Sequence, residues 1–169
     1  LAISGVGGVK VYRCWNGGGT VKLVVLNSDY KPAADELIKE VENVIDPAPK
    51  GKGYGLAPIG HTVTIEKADP VTINYRIEVT MMSGHNINEI QTLAENAIKQ
   101  RLLIRAKEWC NQDEKEHVIL RTSLVTALMV ELPNVLDVGR ITINGASVSK
   151  LELKDNQIPV LGTITLVAV

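Results

Sequence analysis

The chain has 169 residues, 18 Lys and Arg against 19 Asp and Glu, a formal net charge of -1, and 4% aromatic residues with no Phe. That length holds one ordinary domain or two small ones and buries roughly two-thirds of the unfolded surface. Balanced charge supplies no field to draw in nucleic acid or an anionic membrane, few aromatics leave little for base stacking, and no apolar run reaches the roughly 18 residues of a membrane span.

The chain reads first as strand, turn, strand, helix. Residues 9–15 alternate, with Val9, Val11, Arg13 and Trp15 on one face and Lys10, Tyr12 and Cys14 on the other. Asn16-Gly17-Gly18-Gly19 supplies residues that accept positive φ, and 20–26 resumes as an apolar strand, so the pair is expected to be a hairpin. Pro32 suits a first helical turn, where its missing N–H is no loss. From Ala34, the apolar residues Leu37, Ile38, Val41, Val44 and Ile45 trace one helical stripe, which Asp46-Pro47-Ala48-Pro49 stops. Residues 50–60 form a glycine-rich loop, 61–66 a strand, and Asp69-Pro70 the expected boundary.

Residues 71–81 alternate without a fault: Val71, Ile73, Tyr75, Ile77, Val79 and Met81 against Thr72, Asn74, Arg76, Glu78 and Thr80. Asn86 with Glu89 resembles a capping box, opening a helix through Ile90, Leu93, Ala94, Ala97, Ile98 and Leu102 toward Trp109. A polar connection at 111–116 and a short strand at 117–120 follow. Thr122 or Ser123 is expected to cap a helix carrying Leu124, Val125, Leu128, Met129 and Leu132 until Pro133-Asn134. Strands at 138–143, 148–153 and 162–169 close the chain, turning at Asn144-Gly145 and Lys154-Asp155-Asn156. The order ββαβ, then βαβαβββ, predicts an α+β fold of two small mixed domains, 1–69 and 70–169.

The residues offer little chemistry. Gly5-Val6-Gly7-Gly8 precedes a strand rather than a helix, so it lacks the Rossmann frame and reads as a flexible loop. Gly51-Lys52-Gly53 lacks the P-loop frame, although Lys50 and Lys52 among these glycines could meet an anion or an acidic neighbour. His61, His85 and His117 have no second His at helical spacing, and Asp113, Glu114 and Glu116 beside His117 read as a polar loop. No GxSxG is present, and the pairs Asp35-Glu36 and Asp113-Glu114 read as solvated. Lys99, Arg101, Arg105 and Lys107 make one helix segment basic, offset by Glu95 and Glu108 and without interleaved aromatics, so a charged face or protein contact is expected rather than nucleic-acid binding. Cys14 and Cys110 are far apart without a CxxC partner, and are expected to be reduced thiols of an intracellular protein. No catalytic, cofactor-binding or metal-binding residue is assigned.

Three stretches resemble one family. Residues 9–21, with Trp15-Asn16-Gly17-Gly18-Gly19-Thr20-Val21, resemble the hairpin of phage baseplate J-like proteins, where W-N-G-x-G-T is common. Ala57-Pro58-Ile59-Gly60-His61-Thr62-Val63 is similar to the family's A-P-I-G segment. Ile158-Pro159-Val160-Leu161-Gly162-Thr163-Ile164-Thr165 is similar to its C-terminal ending. The resemblance implies a non-enzymatic structural subunit of a phage or prophage-like tail baseplate. It would be made in the bacterial host cytoplasm and built into the virion tail around the hub. Its implied partners are other wedge and hub proteins and copies of itself, with no cofactor, nucleic acid or membrane. Family members usually carry an additional N-terminal region, so a start at Leu1-Ala2-Ile3-Ser4, without Met or a charged n-region, reads as the C-terminal part and not as a signal peptide. Strand edges are the expected docking elements, first the final strand at 163–169 and the polar face of 71–81. The rival reading is a small enzyme or an anion- or cofactor-binding domain using the 51–60 loop, for which a pocket gathering His61, Lys52 and a carboxylate would speak. A nucleic-acid-binding module is a third, distinguished by a salt-dependent gel shift.

Overall fold

The computed structural model describes residues 3–111, 113 and 118–169. The chain forms two compact units. One comprises Leu1–Pro70, Ala106–Glu116 and Asp155–Ile158; the other comprises Val71–Arg105, His117–Lys154 and Pro159–Val169. Among the described residues, three α-helices and eight strands in mixed sheets make the fold α+β.

In the first unit, β1 (Val6–Arg13) and β2 (Thr20–Asn27) form the expected antiparallel hairpin, and β3 (Thr62–Lys67) lies parallel to β2 after the helix α1 (Asp35–Ile45). A parallel neighbour requires such a crossover, and α1 supplies it. Its Leu37, Ile38, Val41 and Ile45 pack with Val25, Val63 and Ile65 of the sheet. Each such side chain, once buried, contributes about 1.5–3 kcal/mol.

Three details depart from expectation. The hairpin strand begins earlier and ends before Trp15, because Cys14 turns the chain at φ 53° while its N–H still reaches Thr20 O at 2.8 Å. Gly7 and Gly8 are not a flexible loop but part of β1. A Cβ on Gly7 would stand 2.2 Å from Asn27 O, and one on Gly8 would stand 2.1 Å from Cys110 Sγ. Pro32 lies ahead of the helix, bridged to Leu26, with Ala34 at the N-cap. Asn27 explains this, since its carboxamide oxygen accepts the N–H groups of Asp29 and Lys31 and shapes the approach as a turn.

The last turn of α2 (Gln91–Cys110) completes the first unit. Trp109 is fully buried, and its indole N–H donates to Asp155 O at 2.7 Å. The same carbonyl accepts the Tyr12 hydroxyl at 2.8 Å. Lys10, also buried, sets its ammonium 5.5 Å from the Trp109 ring centre, a cation–π distance.

In the second unit, β4 (Asp69–Met81) is the centre of the sheet β6-β4-β8, with β6 (Val135–Ile143) antiparallel to it. Thr163 of β8 (Gln157–Ala168) bonds to Asn74, and Val169 just beyond it bonds to Val79, so β8 runs in the same sense as β4. The alternation read from the sequence is realised, with Ile73, Tyr75, Ile77 and Val79 buried. β8 begins well before Gly162 and includes Pro159, which an edge strand tolerates. The capping box forms on a single 3-10 turn, Ile87–Glu89, just ahead of α2. Ile90, Ala94, Ile98 and Leu102 make the buried stripe, while Leu93 faces solvent.

A two-stranded sheet pairs β5 (Ile119–Arg121) with β7 (Lys150–Glu152). The helix α3 (Thr122–Val130) follows β5 with Arg121 at its N-cap and no side-chain cap. Neither Thr122 nor Ser123 takes that role, because the Thr122 hydroxyl donates to Ser149 O at 3.2 Å instead.

Candidate assembly surfaces

At one end of the first unit the hairpin turn and the glycine-rich loop are bonded together. Gly17 and Gly19 adopt φ of 93° and 76°, which side chains with a Cβ rarely accept. The Thr20 hydroxyl closes the turn by donating to Gly17 O at 2.7 Å and accepting Asn16 N–H at 3.0 Å. Thr62 N–H donates to Gly19 O, which ties Ala57-Pro58-Ile59-Gly60 to Trp15-Asn16-Gly17-Gly18-Gly19.

The loop is held from within by Asp46. That carboxylate is buried and accepts the N–H groups of Gly51 and Val63, both at 2.8 Å. The N–H groups of Leu56 and Ala57 reach the last carbonyls of α1, at Val44 and Ile45. Several of the loop's backbone N–H groups are therefore spent internally, while large apolar side chains are displayed: Tyr54 is 72%, Leu56 52% and Ile59 79% exposed. The loop therefore presents these apolar side chains on a backbone that its own hydrogen bonds already order.

The polar face of β4 is engaged within its own unit. Asn74 Oδ1 accepts Thr163 N–H at 2.8 Å, and Asn74 N–H donates to Asn144 Oδ1 at 2.8 Å. Arg76 pairs with Glu78 at 3.1 Å, whose other oxygen accepts Arg140 N–H at 3.3 Å. The final strand turns Ile164 and Leu166 into the core. Both elements singled out in the sequence are thus framework first, and any docking by β8 falls to its outer edge.

The remaining candidates do not converge. His61 and Lys52 are exposed, and the carboxylate at the base of that loop, Asp46, is occupied by backbone N–H groups. His85 bonds Glu89 at 2.9 Å, and this bond holds the Glu89 carboxyl below the usual carboxylate range. Asp35 is likewise held low by its hydrogen bond from Lys67. His117, Glu114 and Glu116 lie outside the described residues; among those described, no three His, Cys, Asp or Glu side chains gather as a metal site. Both cysteines are free, and burial pushes the Cys110 thiol up to about 11. Among the described residues no helix is long and apolar enough to cross a membrane. The basic segment of α2 divides, with Lys99 and Lys107 exposed and Arg101 and Arg105 half-buried in a cleft that Arg121 also lines.

Residues 1–67 match the Baseplate J-like central domain, and residues 72–167 match the Baseplate J-like protein C-terminal domain. The chain belongs to the baseplate J-like protein family. It is 36% identical over 165 residues to the phage-like element PBSX protein XkdT of Bacillus subtilis strain 168, covering 98% of this chain and 44% of that one. The protein YqbT of the same strain matches to the same extent. The chain thus spans less than half the length of these relatives. Its fold is similar to a chain in the anti-feeding prophage baseplate, with a TM-score of 0.55 at 10% identity, over 87% of this chain and 30% of that one.

Proposed function

We propose that this chain is a structural subunit of a phage-like tail baseplate and acts by docking to other baseplate proteins, without bond chemistry. The observation that carries this reading is the family match, in which central and C-terminal baseplate J-like domains follow one another along the chain. The geometry supports it through the rigid loop that presents Tyr54, Leu56 and Ile59. The two units divide the work, each offering its own surface to neighbouring wedge or hub proteins and to further copies. The site of action is the tail tip. Tail particles should carry the tagged subunit at the baseplate in electron micrographs, and deletion should leave tails without a finished plate. Normal plates after deletion, or a label found only on free protein, would overturn the assignment.

A further inference from the structure

In the second unit a small, open cleft lies between α2 and α3, lined by Arg101, Arg105, Arg121, Leu124 and Leu128 with Tyr75 also on its wall. Arg101 and Arg105 stand one helical turn apart, as do Leu124 and Leu128, so a cationic row faces an apolar one. Arg101 Nε is buried and has no hydrogen-bond partner among the described residues. Leaving a buried donor unpaired is unfavourable, so one retained in a native structure calls for an explanation, and a group arriving from outside supplies one. The uncapped end of α3 begins at Arg121, and its first turn adds a positive partial charge there. Burial pushes the Tyr75 hydroxyl up to about 12, so it remains a neutral donor.

We propose that this cleft receives an acidic side chain, Asp or Glu, presented by a neighbouring protein chain. The cleft is far smaller than a small-molecule site, which holds roughly 300–1,000 Å³, and suits the tip of one side chain better than a free metabolite. Leu124 and Leu128 offer apolar contact to the stem of such a side chain, and planar guanidinium groups bind carboxylate in a fork. A nucleic-acid backbone is disfavoured because it needs several phosphate contacts along a track, whereas Arg76 and Lys150 of this unit pair with Glu78 and Glu152.

The inference rests on the assembly reading, and one experiment separates the two. A photo-crosslinking amino acid is placed at Leu128 of the full-length protein in assembled tails. The expected product joins position 128 to an Asp- or Glu-bearing peptide of another chain, and Arg101→Met reduces its yield at least tenfold. In the purified protein Arg101→Met should leave Tm unchanged or higher, since it removes the unpaired N–H; Arg101→Lys should crosslink at an intermediate level. A lowered Tm, a yield indifferent to Arg101, a product with nucleic acid, or a peptide without a carboxylate overturns the inference. Tails that hold the subunit yet give no crosslink defeat it alone, whereas tails without the subunit defeat the assembly reading as well.

Discussion

Asp46 shows how one side chain governs a surface. Its two oxygens accept backbone N–H groups from the loop and from the start of β3, both at 2.8 Å. Asp46→Ala should cost about 3 kcal/mol, since hydrogen bonds to a buried charge are worth about 1.5–3 kcal/mol each and some water enters. Thermal unfolding measures the loss, and limited proteolysis should then cut within 51–60, where the native chain resists. Glu89 carries one pH response. Its folded pKa is lowered first by the His85 hydrogen bond and next by Asn86 N–H, so its stabilisation is complete above the ordinary carboxylate range and is lost as pH falls through the lowered value. An NMR titration should place Glu89 below an unfolded-peptide Glu, and His85→Ala should move it upward. A Glu89 titration indifferent to that substitution would show that the ring has no part in it. In the first unit, Gly8 was legible as permissive but not as crowded. Its neighbour, Cys110 Sγ, lies about a hundred positions away in sequence, beyond the reach of any local pattern.

At the scale of elements, period decided what could be read. The 71–81 alternation and the α2 stripe from Ile90 to Leu102 map onto buried faces because each periodicity reports one wet and one dry side. Element ends were less legible, since they depend on partners elsewhere. Thr122 bonds Ser149 rather than capping α3, and Pro159 enters β8 because that strand lies at an edge. The exposed loop apolars were visible as residues, yet nothing in composition told that Asp46 would fix them outward. The final strand gives a sharp test. Deleting 163–169 removes Ile164 and Leu166 from the core, a loss of about 3–6 kcal/mol at about 1.5–3 kcal/mol each, comparable to the whole stability of a small domain. The truncated chain should lose its cooperative transition by circular dichroism. A truncated chain that still melts sharply would mean that β8 serves docking more than folding.

For the whole molecule, chain order and spatial order part company. The first unit draws on Trp109, whose ring lies beside the Lys10 ammonium, and on Asp155, whose carbonyl accepts the indole N–H and the Tyr12 hydroxyl. A fragment of residues 1–69 should therefore bind hydrophobic dyes and melt broadly, while the full chain melts sharply. A sharp, independent transition of that fragment would show the later segments to be dispensable. Synthesis on the ribosome inherits this arrangement. At about 5–20 residues per second, the interval between the emergence of Pro70 and of Asp155 lasts on the order of ten seconds. Throughout it the hairpin must wait, its lysine and tyrosine still wet, for a carbonyl that has not yet been made.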